Sequence, residues 1–144
     1  MGLQIQESVL QLIYEHGKQA YPEEGAGLLL GSDDGDVRKI SAILPLENAR
    51  EENARSNRYL ITPQEIMQGE DYAFSLGLDI VGIFHSHPDH PNRPSEYDRE
   101  WALPWYSYLI TSINQGEAVG SRSWRLLDDR SQFVEEELVV FDQR

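Results

Sequence analysis

Apolar side chains recur with helical spacing near the start of the chain. Between Gln4 and Ala20 they fall on one face of a 3.6-residue repeat, which predicts an amphipathic helix that ends near Gly17. Further along, the spacing changes to strand-like runs separated by short turn-forming segments. The predicted strands span residues 27–31, 37–46, 59–61, 79–84, 106–113, 121–127 and 133–141.

Two more helices are predicted from their N-terminal signals. Thr62 and Glu65 form the two halves of a capping box, so a helix should begin there and run to about Leu76. Ser95 stands in the N-cap position of a second helix, which is predicted to span residues 96–103 and to end before a proline.

The order of these elements predicts the fold class. Helices alternate with groups of strands, which is typical of an α/β protein built on one mixed sheet. The run at 79–84 is almost wholly apolar and is expected to be a central strand covered on both faces. Residues 48–58 lack large apolar side chains and are expected to form a loop. A length of 144 residues is usual for one domain, so we expect a single domain over residues 1–144.

The amino-acid composition excludes several classes of active site and of binding partner. The chain has no cysteine, which excludes a thiol protease, an all-cysteine zinc site and any disulfide. It has 25 acidic against 12 basic residues and a net charge of −13, a balance that disfavours nucleic acid as a partner. The acidic residues are spread along the chain, which indicates either a merely acidic surface or adaptation to a salt-rich cytosol.

The sequence predicts a cytoplasmic protein. No apolar run approaches the roughly 20 residues that a membrane-spanning helix needs. The N-terminus lacks the basic region and the long apolar core of a signal peptide. We therefore expect no membrane partner, while the oligomeric state stays open.

Three of the four histidines lie in the short segment 85–98. His85 and His87 follow an apolar strand at positions i and i+2, so both side chains point to the same side of an extended segment and can bind one metal ion. Asp98 lies eleven residues after His87 and can supply a third ligand if the intervening proline-rich loop folds back. Two histidines and one carboxylate leave a position open for water, which is typical of catalytic rather than structural zinc.

This segment resembles the motif of the JAMM (MPN+) metallopeptidases. The motif consists here of His-Ser-His-Pro at 85–88, followed by Ser95 and Asp98. The family also needs a glutamate far upstream, and the segment around Glu24 is similar to that region. Many bacterial members carry cysteine where this chain has Ala26, so that position departs from the common form.

The resemblance extends over roughly residues 1–115 and implies both fold and function. It implies a three-layer α-β-α sandwich with a mixed sheet, in a cytidine-deaminase-like JAMM/MPN domain. It implies a zinc peptidase that cuts the amide or isopeptide bond after the C-terminal Gly-Gly of a small ubiquitin-like sulfur-carrier protein.

The same resemblance assigns roles to five residues. His85, His87 and Asp98 would bind the metal, for which zinc fits best, with iron and manganese left open. Glu24 would take a proton from water and pass it to the leaving amine. The Ser95 hydroxyl would stabilise the oxyanion of the tetrahedral intermediate.

Several motif residues have a plainer structural interpretation. Ser95 is also a good helix N-cap, and Asp98 is also a favourable acid at a helix start. Ser86 is expected to point away from the metal. It would then form a hydrogen bond with the backbone or help to hold the metal ligands in place. His90 is expected to lie in solvent.

Two other features bear on function. Trp101 and Trp105 follow the motif closely and are candidates to line a substrate groove.

An inactive MPN-type scaffold usually lacks one or more metal ligands, whereas this chain fills every position. A RadC-like protein usually has asparagine at the position of Ser86, which makes that relationship the weaker alternative.

Overall fold

A computed structural model describes residues 1–48, 55 and 58–142 of the chain. Seven strands and three helices form within these residues. The predicted loop at 48–58 lies largely outside them. The elements are β1 (Gly2–Gln6), α1 (Glu7–Ala20), β2 (Ala26–Asp33), β3 (Val37–Leu46), α2 (Pro63–Ser75), β4 (Asp79–Pro88), α3 (Glu96–Trp101), β5 (Ser107–Asn114), β6 (Glu117–Leu126) and β7 (Phe133–Phe141).

The seven strands form one mixed sheet that closes into a barrel. The strand order is β1-β3-β2-β4-β5-β6-β7, and β7 pairs back with β1. Strand β2 is antiparallel to β3 and β4, whereas β4 is parallel to β5. The predicted mixed sheet is therefore confirmed, but it closes into a barrel and does not clearly form the middle layer of a three-layer sandwich.

The closure depends on a strand at the N-terminus that the apolar pattern did not predict. The helix expected from Gln4 begins at Glu7, and the residues before it form β1. Strand β1 runs parallel to both β3 and β7. Leu3 and Ile5 are fully buried, and their alternation is too short to be distinguished from helical spacing. Whether these residues form a strand or a helix turn is decided by their backbone partners, which belong to distant parts of the chain.

Helix α2 begins where its capping signal predicts. The Thr62 hydroxyl accepts a hydrogen bond from the Glu65 N–H at 3.2 Å, and the Thr62 N–H donates to the Glu65 carboxylate at 2.9 Å. The strand predicted at 59–61 is wrong, since these residues join no ladder. Instead, the Leu60 N–H donates to the Asn48 side chain at 3.1 Å, so a side chain provides the partner that a strand would have provided.

Strand β4 lies between β2 and β5 in the barrel and carries the histidines. It extends four residues beyond the predicted end at Phe84, because β5 continues to pair with it as far as Pro88. One hydrophobic core lies between the sheet and α1, and a second lies on the side of α2. Neighbouring leucines of β2 serve both cores: Leu29 belongs to the first and Leu30 to the second, each fully buried. Burial of each such side chain contributes roughly 1.5–3 kcal/mol.

The predictions on membranes and on domain number concern the whole chain. Within the described residues, no helix has the length and apolar character that crossing a membrane requires. The single domain over residues 1–144 stays a prediction.

Candidate metal centre

Four side chains from three parts of the chain meet at one end of β4. His85 and His87 lie on β4 itself, Asp98 lies in the first turn of α3, and Glu24 immediately precedes the Gly25–Ala26 entry to β2. One ligand atom from each lies within 4.8 Å of all the others, and all four residues are buried. The structure thus brings together the three predicted metal ligands and the predicted general base.

The imidazole and carboxylate atoms are spaced as ligands of one ion would be. The two Nε2 atoms of His85 and His87 are 3.2 Å apart. Asp98 Oδ2 lies 3.1 Å from His87 Nε2, and Asp98 Oδ1 lies 3.4 Å from His85 Nε2. Two nitrogens that each lie about 2.0–2.1 Å from a tetrahedral zinc ion are about 3.3 Å apart. The donor set therefore fits zinc in both chemistry and spacing.

A backbone carbonyl fixes the tautomer of His87. Its Nδ1 lies 2.7 Å from the Pro91 carbonyl oxygen, which can only accept a hydrogen bond. The proton of a neutral imidazole must then be on Nδ1, which leaves the lone pair of Nε2 directed at the cluster. His85 is oriented differently, by a stack against the Tyr59 ring with the two ring centroids 4.4 Å apart.

Asp98 belongs both to the helix cap and to the cluster. Its N–H donates to the Ser95 hydroxyl at 3.0 Å, and its Oδ2 accepts from the Ser95 N–H at 2.9 Å. Burial alone would raise the pKa of Asp98, but the adjacent His85 and His87 outweigh it and hold that pKa well below its usual range. Asp98 is therefore a carboxylate, the form that a metal ligand requires.

Glu24 is buried without a complete set of partners. Its side chain is 1% exposed, and Oε1 accepts no hydrogen bond within the described part of the chain. Burial raises the pKa of Glu24 to about 8; Asp98 adds to this rise and His87 opposes it. A buried polar atom of this kind points to a missing partner such as water or an ion. A carboxyl group whose pKa lies near neutrality is suited to proton transfer.

The backbone of Glu24 is fixed from outside the barrel. Its N–H donates to the Arg55 carbonyl oxygen at 2.6 Å, and its own carbonyl oxygen accepts from the Asn48 side chain at 3.0 Å. The neighbouring Glu23 is only half-buried and is not one of the four clustered residues.

Ser95 lies beside the cluster without being part of it. Its hydroxyl accepts from the Asp98 N–H, and its side chain is half-buried at a groove that includes Arg93 and Trp124. The capping role is therefore visible in the structure, and the oxyanion role stays a prediction.

Two residues near the cluster were not predicted from the sequence. The expectation that His90 lies in solvent is wrong, because its ring stacks on His87 with centroids 4.2 Å apart and the residue is half-buried. Burial, followed by His87, lowers the pKa of His90. Tyr59 was assigned to a strand and instead packs on His85. The sequence carried no signal for either contact, since both depend on the paths of loops.

A mostly apolar cavity of about 340 Å³ adjoins Asp98. Trp101 and Trp105 line it and remain 61% exposed, so both predicted groove residues stand at a cavity beside the cluster. The remaining lining residues are Tyr59, Leu60, Ile61, Ile66, Glu70, Ile83, Tyr97, Leu103, Tyr106 and Tyr108.

Comparisons with known proteins agree with this arrangement. A family model for prokaryotic homologues of the JAB domain matches residues 6–127. Desampylase from Haloferax volcanii is 36% identical over 107 residues, which are 74% of this chain and 74% of that protein. A probable TtuB-protein conjugate cleaving protease from Thermus thermophilus is 27% identical over 106 residues, which are 72% of this chain and 67% of that protein.

A solved structure extends the similarity to nearly the whole fold. The solution structure of a protein from Desulfitobacterium hafniense matches with a TM-score of 0.86 and 30% identity, and the match covers 98% of this chain and 94% of that one. The family match spans most of the chain, including Glu24 and the segment that carries both histidines and Asp98. The chain therefore belongs to the prokaryotic homologues of the JAB domain.

Proposed function

We propose that this protein is a zinc-dependent peptidase or isopeptidase that cleaves after the C-terminal Gly-Gly of a small ubiquitin-like sulfur-carrier protein. The observation that carries the proposal is the buried convergence of two imidazoles and two carboxyl groups with metal-ligand spacing. One relative is named a desampylase and another a protease that cleaves TtuB-protein conjugates, and these names support a ubiquitin-like conjugate as the substrate.

The metal would be held by His85, His87 and Asp98. Zinc bound there supplies a Lewis acid and lowers the pKa of a coordinated water to about 7. The Pro91 carbonyl keeps the lone pair of His87 Nε2 on the side of the cluster, and burial excludes competing solvent.

Glu24 would move the proton. Its Oε1 is buried beside the cluster and has no hydrogen-bond partner in the described residues, so it is available to accept a proton from the attacking water. The same oxygen then donates that proton to the nitrogen of the leaving amine as the carbon–nitrogen bond breaks. Burial raises the pKa of Glu24, which favours holding the proton between the two halves of this transfer.

Ser95 would assist through its hydroxyl hydrogen. Its oxygen already accepts from the Asp98 N–H, which leaves the O–H free to donate to negative charge on the substrate carbonyl oxygen. The substrate tail itself has no side chains at Gly-Gly, so a narrow groove suffices to accept it in an extended form.

Cleavage of defined conjugates tests the proposal. Ubiquitin-like proteins ending in Gly-Gly, joined to a lysine side chain or to a reporter, should be cut by zinc-loaded protein and not by chelator-treated protein. Matched conjugates with Ala-Ala at the junction should resist, since methyl groups would widen the tail. Failure to cut any Gly-Gly conjugate in the presence of zinc would refute the proposal. Tight binding without cleavage would instead support a scaffold of the MPN type.

A further inference from the structure

Gly25 and Ser86, which lies between the two histidines, are joined by two hydrogen bonds. The Ser86 N–H donates to the Gly25 carbonyl oxygen at 2.9 Å, and the Gly25 N–H donates to the Ser86 hydroxyl at 2.8 Å. The antiparallel register of Ala26 with His85 places Gly25 opposite Ser86. In a regular ladder the Gly25 N–H would bond to a backbone carbonyl. Here a side chain takes that place, so the β2–β4 pairing ends at the residue that follows Glu24.

The Ser86 side chain has little room to adopt another orientation. The residue is 3% exposed. A β-carbon placed on Gly17 of α1 would lie 3.3 Å from Ser86 Cβ and 3.1 Å from the Ile113 side chain. Close packing of this kind holds the hydroxyl in the direction of Gly25.

A hydrogen bond between Tyr21 and Asp89 joins the same two parts of the chain on the exposed side of the site. The Tyr21 hydroxyl donates to Asp89 Oδ2 at 2.5 Å. Asp89 Oδ1 accepts from the Gln115 N–H at 2.7 Å, so the aspartate is fixed to the β5–β6 turn as well. Asp89 follows His87 by two residues. The segment 21–25, which contains Glu24, is thus tied at both of its ends to residues that flank His87.

We propose that Ser86 and Asp89 are positioning residues for Glu24, because they hold segment 21–25 against the end of β4. The inference rests on the proposed function, in which Glu24 transfers the proton. Glu24 Oε1 accepts no hydrogen bond in the described part of the chain, so no bond to that oxygen fixes the carboxyl group. The position of Glu24 then depends on how its backbone is held, and the ties through Ser86 and Asp89 act there together with the Glu24 bonds to Arg55 and Asn48.

The Ser86→Ala variant gives the main test. We expect kcat on a Gly-Gly conjugate to fall by about 10- to 100-fold, because a small displacement of the proton-transfer group is costly. KM and the zinc content should stay at wild-type values, since neither the substrate groove nor a ligand is removed. Tyr21→Phe should act in the same direction and less strongly, because its hydrogen bond is exposed.

A double-mutant cycle shows through which group Ser86 acts. In a Glu24→Gln background, Ser86→Ala should cause no further loss of kcat, because the displaced group no longer transfers a proton. If the kcat losses of Ser86→Ala and Glu24→Gln multiply in the double variant, Ser86 acts through the metal ligands or through stability. That result would overturn the inference.

Two control variants remove comparable groups elsewhere. Ser123→Ala deletes a buried hydroxyl that bonds to Glu136 at 2.6 Å in the barrel wall. Tyr14→Phe deletes a phenolic hydroxyl from α1, the helix that immediately precedes Tyr21. Both should keep wild-type kcat even if the melting temperature falls. A loss of kcat in Ser123→Ala equal to that in Ser86→Ala would show that any buried hydroxyl has this effect, and would also overturn the inference.

Amide hydrogen exchange separates this inference from the proposed function. In metal-free Ser86→Ala protein the Gly25 N–H should exchange faster than in wild type, whereas the amides of β5 should be unchanged. Unchanged exchange at Gly25 would overturn the positioning role even if the enzyme is active. A wild-type protein that cuts no conjugate would refute the proposed function, and the exchange experiment would still decide whether Ser86 anchors the segment.

Discussion

The two carboxyl groups of the site are both buried, yet their surroundings shift their pKa values in opposite directions. Burial raises the pKa of Glu24 to about 8, whereas His85 and His87 hold the pKa of Asp98 well below its usual range despite burial. Groups whose environments separate their pKa values in this way are suited to different roles. Asp98 suits a ligand that stays ionised, and Glu24 suits a group that gains and loses a proton.

Metal content tests the ligand assignment. Wild-type protein should carry about one zinc ion per chain, and His87→Ala should lose it together with activity. The ion binds only the folded state, so the zinc-loaded wild type should also melt at a higher temperature than the chelated protein. Elemental analysis and a melting curve check both points. His16→Ala is a suitable control, because His16 bonds to the Ala26 and Leu46 carbonyl oxygens and not to the cluster. Near-stoichiometric zinc in His87→Ala would refute the ligand assignment.

The adjacent pair Glu23 and Glu24 provides a matched test of proton transfer. Glu24→Gln should keep the fold and the metal but lose about 10²- to 10⁴-fold in turnover, as expected for removal of a general acid and base. Glu23→Gln removes the same charge one residue away, from a half-buried position, and should stay close to wild type. Steady-state kinetics with equal zinc loading would compare the two. A reversed order of effects would mean that the wrong glutamate has been chosen.

At the residue scale the sequence predicted which side chains meet at the site but not the contacts that support them. Paired histidines at i and i+2 must share a side of a strand, and the spacing to Asp98 matches a known motif, so local rules were enough. The Pro91 carbonyl behind His87 and the Tyr59 ring against His85 come from loops whose paths are set by the rest of the fold. No local pattern encodes such contacts.

Among the elements, α2 and α3 show what a local signal can predict. Both begin with a capping box in which a hydroxyl and a carboxylate satisfy each other's backbone N–H groups. Helix α1 has no side-chain cap at Gln6, and there the sequence placed the helix start three residues too early. Local chemistry therefore predicted a helix start where the cap is formed within the segment itself.

The two capping boxes allow the roles of Ser95 to be separated. Ser95→Ala and Thr62→Ala should each cost about 0.5–2 kcal/mol of stability through loss of the cap. If Ser95 also stabilises an oxyanion, its removal should cut kcat by about 10²- to 10³-fold with little change in KM. Thr62→Ala should leave kcat unchanged, because the start of α2 lies outside the cluster. Denaturant melts and steady-state kinetics on both variants measure the two effects. A wild-type kcat in Ser95→Ala would leave Ser95 as a cap alone.

For the whole molecule, the closed barrel is the feature that the sequence did not predict. Closure needs β1 between β3 and β7, and these strands pair Leu3 with Arg38 and with Leu138. Contacts across such sequence distances leave no periodic signal in a five-residue strand. Strand β4 was predicted because burial on both faces makes its own composition apolar.

The net charge gives a prediction about the molecule as a whole. Twelve basic residues cannot neutralise 25 acidic ones, so the folded chain carries a net charge of −13 whose mutual repulsion opposes compactness. Several of the ion pairs, such as Arg99 with Glu96, are largely exposed and contribute little. We expect the melting temperature of zinc-loaded protein to rise between low salt and about 1 M KCl, because the screening length falls from about 10 Å at 0.1 M to about 3 Å at 1 M.

The shape of that salt dependence identifies its cause. Screening should give most of its gain below a few tenths molar salt and then level off, whereas exclusion of solute from the surface should grow steadily with concentration. A gain of about 1 kcal/mol would raise the melting temperature of a chain of this size by roughly 3–5 °C, which calorimetry resolves easily. Sucrose over the same range is the control, because it is excluded from the surface without screening charge. A melting temperature that does not rise with KCl would show that charge repulsion is not a significant term in the stability of this fold, and would remove the argument that its acidic surface is an adaptation to salt.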